Sequence, residues 1–166
     1  MTRHCDDEPV SADDQTGEQW LAIGLDFTLA PTAEGGRQTE VLFKEPLGYR
    51  PDWGLPGMTG TDQTGAPVLC SSADTLAPGY TARAVIIPLT DAHMTEWCLL
   101  NEGDMLRMFE GPRVCGHAVV RWTENTSCPV PGIDKDRFSA WATPAMTAPG
   151  PHDTVSQGCP YLLGNP

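Results

Sequence analysis

The chain has 166 residues, room for one domain with extensions, and 40% of them are hydrophobic, enough for one core. Its 17 glycines and 16 prolines, about a fifth of the residues, favour turns over long helices. A net charge of −12 argues against autonomous binding of nucleic acid, DNA included, because phosphate contacts need surplus Lys and Arg.

The charge is uneven. Residues 1–18 carry six acids against Arg3 alone, whereas residues 35–122 carry ten acids against seven bases. The acidity therefore belongs partly to a lead segment that reads as disordered and solubilising. Its Asp6-Asp7-Glu8 and Asp13-Asp14 clusters can also mimic phosphates against a basic partner. Cysteines stand at positions 5, 70, 98, 115, 128 and 159 with no Cys-x-x-Cys pair, too sparse for a disulfide scaffold. The N-terminus shows no charged-then-apolar signal. The longest apolar run covers only residues 84–87, so no membrane span is expected. These features predict a cytoplasmic protein with reduced thiols.

From Trp20 the pattern changes. Leu21, Ile23, Leu25, Phe27 and Leu29 alternate with Ala22, Gly24, Asp26, Thr28 and Ala30, which predicts a half-buried strand. Pro31 stops it, since proline cannot donate into a ladder. Glu34-Gly35-Gly36 is a turn, and residues 38–43 read as a strand returning. Residues 48–53 are extended, because Arg50 precedes a proline. Residues 54–66 are mostly loop with room for a short strand. Further strands are expected over residues 68–70, 81–89, 97–100, 105–109 and 114–122, separated by Gly- and Pro-containing turns. In the last of these, Val114, Gly116, Ala118, Val120 and Trp122 are expected on one face. Residues 123–166 are rich in proline. There Phe138, Trp141, Tyr161, Leu162 and Leu163 form either a strap packed on the body or a loose tail. Many short strands with such turns predict an all-β sandwich or barrel.

Four blocks carry a resemblance. Gly35-Gly36-Arg37-Gln38-Thr39 is followed by Gly48-Tyr49-Arg50-Pro51, then by Leu76-Ala77-Pro78-Gly79, and last by Phe109-Glu110-Gly111-Pro112-Arg113-Val114-Cys115-Gly116-His117-Ala118-Val119-Val120. In this order they resemble the third, C-terminal β-barrel domain of elongation factor Tu. That resemblance implies an all-β fold: a small antiparallel Greek-key-type barrel of about six strands over residues 19–122. An acidic lead (1–18) and a proline-rich tail or strap (123–166) would form irregular extensions. In the family this barrel contacts the GTPase domain, holds aminoacyl-tRNA and forms part of several antibiotic and exchange-factor sites. It performs no chemistry.

The resemblance carries Arg37, Arg50 and Arg113 over as partner-binding residues, with Asp52 and Trp53 completing the surface; Trp53 is a contact anchor if exposed beside Asp52, and otherwise fills or rims the barrel with Trp97 and Trp122. A planar guanidinium grips phosphate or carboxylate bidentately. The same arginines can instead cap turns or pair with acids of the barrel. The chain departs from the family pattern at Gln38, Asp52 and Pro112, where the family has His, Gln and Gly. No Gly-x-x-x-x-Gly-Lys-Ser/Thr phosphate loop occurs, so the GTPase machinery is not expected.

The expected function is therefore a non-catalytic, protein-binding module with no cofactor. Its partner would be a translation GTPase or a protein that targets one, in a decoy, immunity-type or translation-associated role. An antibiotic-binding self-resistance protein is the first alternative, and accessory tRNA or RNA binding the second. Cys115 and His117, two residues apart, are expected on one strand face. With Cys98 or His93 they are weak zinc candidates, or a Cys–His nucleophile pair. Cysteine in a strand is more often a small buried hydrophobe.

Overall fold

The structure, a computed structural model, describes residues 18–44, 48–89 and 93–143. The acidic lead up to residue 17 and the apolar trio Tyr161, Leu162 and Leu163 lie outside the described residues. In chain order the elements are β1 (Glu18–Leu29), a 3-10 turn (Thr32–Glu34), β2 (Val41–Leu42), β3 (Asp52–Gly54), β4 (Thr64–Gly65), β5 (Val68–Ser71), β6 (Thr75–Leu76) and β7 (Thr81–Ile86). They continue with α1 (Met94–Cys98), β8 (Met105–Glu110), β9 (Arg113–Cys128) and α2 (Gly132–Ala142). Every strand pair is antiparallel, so the chain has the expected all-β class.

Seven strands form one sheet in the order β4-β3-β8-β9-β1-β7-β5, and β2 with β6 forms a separate two-stranded ladder. The hydrogen-bonded order does not close into the expected ring of about six strands. Its two edges, β4 and β5, are nevertheless consecutive in the chain and separated only by Ala66 and Pro67. The sheet must curl until these edges lie side by side. Pro67 has no N–H to extend a ladder across the seam. Other groups hold it: Trp53 Nε1 donates to Ala66 O at 2.9 Å, Val68 N to Tyr49 O at 2.9 Å, and Ile87 N to Pro67 O at 3.2 Å.

The concave side encloses the main core. The alternation in β1 puts Leu21, Ile23, Leu25, Phe27 and Leu29 there, against Ala82, Ala84 and Ile86 of β7 and Ala118 and Val120 of β9. Gly36 closes the end of β1, because a Cβ there would overlap the backbone carbonyl of Ala30.

Three expectations need correction. Residues 38–43 do not return along β1. Only Val41–Leu42 is strand, and it pairs with Thr75–Leu76. Residues 97–100 are not a strand but the end of α1 and its exit. Trp97 and Leu100 are buried while Cys98 and Leu99 are exposed, a helical i, i+3 spacing. The face expected for β9 is broken by two register shifts. Met108 opposes Gly116 but Phe109 opposes Val114, which leaves Cys115 unopposed. Leu25 opposes Val120 but Gly24 opposes Trp122, which leaves Arg121 unopposed. Each extra residue turns the strand over. Gly116, Ala118 and Val120 keep their buried face, Val114 is exposed, and Trp122 passes to the convex side.

β9 runs on through residue 122, the expected boundary, to Cys128, and among the described residues after it Gly132–Ala142 is helical, packing Phe138 and Trp141 on the body. On the convex side α2 covers Ala22, Val85 and Ile87, with Phe138 fully buried beneath it. Phe138 stacks on Trp122 at 5.5 Å between centroids, and Trp141 meets Trp122 edge-on at 5.2 Å. Thr126 Oγ1 donates to Asp134 at 2.8 Å, and Arg137 joins Glu124 and Asp134 at the helix start.

Candidate functional site

Phe27, Phe43, Tyr49 and Trp53 plug one end of the core. Phe27 stacks on Tyr49 at 6.4 Å, and Trp53 meets Phe27 edge-on at 5.6 Å. Tyr49 is only part buried, and its hydroxyl leaves the plug to donate to Glu110 Oε1 at 2.8 Å. Glu110 ends β8, just before the turn into β9. Its same oxygen accepts from Arg37 Nη1 in an ion pair. Arg37 is set by its own loop: its Nε donates to Thr39 O at 3.1 Å, and its carbonyl accepts from Thr32 Oγ1 at 2.6 Å.

The loop after β1 and the β8–β9 turn thus form the walls of a cleft of about 490 Å³, lined by Arg37, Gln38, Thr39, Glu110 and Arg113 and by Thr32, Gly35 and Gly36 of the turn. Gly35 at φ 84° makes that turn, a left-handed conformation that glycine adopts without strain. Arg113 is exposed at the start of β9. Two guanidiniums and one carboxylate leave the cleft with a surplus positive charge. The carboxylate is already claimed by two donors, so the free capacity is for a ligand that accepts hydrogen bonds. Burial, and then the bond to Glu110, push the Tyr49 phenol well above its usual range, so it stays a neutral donor.

Of the residues expected to bind a partner, Arg37 and Arg113 share this cleft. Arg50 is exposed and Asp52 half-buried on the adjoining segment, and neither lines the cleft. Trp53 is a correction. It is fully buried in the main core with its indole N–H spent on Ala66, so its side chain cannot reach a partner. Sequence reasoning names the arginines and misses Tyr49 and Glu110, which hold Arg37 in place. Both stand inside the quoted motifs, and their positions there are the available signal.

The metal candidates do not converge. Cys98 is exposed at the end of α1, Cys115 is fully buried in the core, and His117 is exposed on the convex side. The unopposed Cys115 is the reason: the bulge puts Cys115 and His117 on opposite faces. Among the described residues no three His, Cys, Asp or Glu side chains gather where a metal could sit. Cys70, Cys98, Cys115 and Cys128 are free thiols, and burial raises the pKa of Cys70. No described helix is long and apolar enough to cross a membrane.

No protein-family model matches this chain, and no curated protein matches it in sequence.

Proposed function

We propose that this chain is a non-catalytic, protein-binding module related to the third domain of elongation factor Tu, working in the cytosol. It would bind its partner at the Arg37–Arg113 end of the sheet. The observation that carries the reading is the convergence of Arg37, Tyr49 and Glu110. They come from three separate segments, meet at one carboxylate oxygen, and present Arg113 beside them. These are three of the four segments on which the resemblance rests. A preorganised, hydrogen-bonded arginine loses little freedom on binding and suits a carboxylate on a protein surface. Free thiols fit a reducing compartment. The partner is a translation GTPase, or a protein that targets one, and the chain acts as a decoy, immunity-type or translation-associated factor.

A small-molecule role, as in self-resistance to an antibiotic, is the second reading. The cleft volume of about 490 Å³ favours it, since it falls in the range of ligand pockets. RNA binding is third, because the net charge of −12 opposes a polyanion.

Titration of the immobilised chain with a purified elongation factor GTPase domain tests the first reading. Saturable binding should weaken by about 2 kcal/mol or more in Arg113→Glu, with the melting temperature unchanged. Equal affinity in the two proteins, or no binding, would remove the proposed partner. A melting temperature raised by a translation-targeting antibiotic would favour the second reading.

A further inference from the structure

The convex face of the sheet is divided. α2 covers one half, with Arg83 of β7 lying over its Trp141 ring, and the other half lies open across β8, β9 and β1. Register places Met105 beside Val119, Val119 beside Asp26, and Asp26 beside Arg83. Two residues along, Arg107 stands beside His117.

The charges on this open half are unequal. Asp26 is shared by two arginines, Arg121 Nη2 at 2.6 Å and Arg83 Nε at 3.8 Å. Among the described residues Arg107 meets no carboxylate. Its Nη1 donates to Gly60 O and its Nη2 to Met58 O, each at 2.9 Å, and the guanidinium lies 5.2 Å from the centre of the Phe109 ring. Three of its five N–H donors remain for a ligand. Asp52, facing outward on β3 opposite Phe109, marks the far margin.

Beside Arg107 lies a notch of about 300 Å³ between the loop of residues 54–60 and β8, with Leu55, Met58 and Met105 on its walls. Met105, the first residue of β8, is 50% exposed. Gly57 at φ 87° and Gly60 at φ 57° bend the loop on either side of Met58, and Arg107 ties the loop down. Methionine side chains adapt to apolar partners of different shape. An apolar notch and an uncompensated guanidinium therefore adjoin on one surface.

We infer that this notch docks an acidic segment of a partner protein, with one bulky apolar side chain between Met58 and Met105 and a neighbouring carboxylate on Arg107. The chemistry of Arg107 selects the ligand: its guanidinium meets only backbone carbonyls and the Phe109 ring, so a carboxylate beside the apolar notch completes its partners, whereas Arg121 and Arg83 share Asp26 and Arg83 also lies over the Trp141 ring of α2. The extent selects a polypeptide over a small molecule. From the level of His117, beside Arg107, the open face continues past Val119 to Arg121, about 13 Å along the strand. This surface is separate from the Arg37–Arg113 cleft and stands whether or not a partner seats there.

The test uses the full chain and a short fluorescein-labelled peptide with one central Leu among Asp and Glu, read by anisotropy. Saturable binding is expected. It should fall about tenfold or more when the Leu is replaced by Ser, and similarly in Met105→Glu, because each removes the apolar contact. Arg107→Gln should also weaken it. Because that change can loosen the loop, Arg121→Glu, away from the loop, is the companion variant and should lower affinity at low salt. No binding of the Leu peptide, equal binding of the Leu and Ser peptides, or unchanged affinity in Met105→Glu would overturn the assignment. So would a preference for single-stranded RNA over the peptide.

Discussion

At Glu110 a single carboxylate oxygen accepts from Arg37 and from Tyr49, donors brought together from distant parts of the chain. The tyrosine is the more informative partner. Its folded pKa is raised, by burial first and by Glu110 next, above the unfolded value of about 10. Its contribution to stability is therefore full below pH about 10. Above that pH the unfolded state gives up the proton and the folded state keeps it, so stability falls as pH rises. Urea midpoints taken between pH 10 and 12 should decline more steeply in the native protein than in Tyr49→Phe. The difference is at most about 1.4 kcal/mol per pH unit, less after solvent screening of a part-exposed group. Parallel declines would show that the phenol does not set the pH dependence. Arg37 and Arg113 can be picked out from their motifs. Glu110 cannot, because nothing in the Glu-Gly-Pro-Arg turn says that its carboxylate meets a phenol 61 residues away. Trp53 stands beside Asp52 as a contact residue only if exposed, and its burial depends on strands far off in sequence.

Among the elements, β9 decides the most. Its first bulge buries Cys115 and turns His117 outward, which dissolves the expected metal pair. Its second sends Trp122 to the convex side, where Gly24 leaves room for the indole; any Cβ at Gly24 would overlap that ring. α2 then has an aromatic surface to land on. Phe138→Ala should cost about 3–5 kcal/mol in urea unfolding, as expected for emptying a fully buried aromatic site, and should reduce the near-ultraviolet circular dichroism of Trp122. A loss below about 1 kcal/mol would mean that the helix contributes little to the fold. The strand of β1 is legible because five apolar residues in strict alternation fit a period of two and no helical period. The helix of α1 is not, since the continuous apolar run Trp97-Cys98-Leu99-Leu100 cannot be told from a short buried strand by periodicity.

On the scale of the molecule, stability should be graded by position in the sheet. β1 is interior to the sheet, paired along its length with β9 and from Ile23 to Thr28 with β7, whereas β2 and β6 share only two residue pairs. Hydrogen exchange should show the amides of Ile23, Leu25 and Phe27 opening only with global unfolding, and that of Phe43, bonded to Asp74 O at 2.9 Å beside the β2–β6 ladder, opening well before it. Equal protection at both places would contradict a sheet organised around β1. The seam between β4 and β5 belongs to this scale too, since it is held by single bonds from Trp53, Val68 and Ile87 rather than by a ladder. The all-β class, the position of β1 and the glycine turns follow from composition and period alone, because backbone geometry imposes them locally. The open order of the strands, the faces of β9, the burial of Trp53 and the meeting of Arg37, Tyr49 and Glu110 do not. They depend on which distant strands pair and in which register, and a shift of one residue in a strand exchanges its two faces.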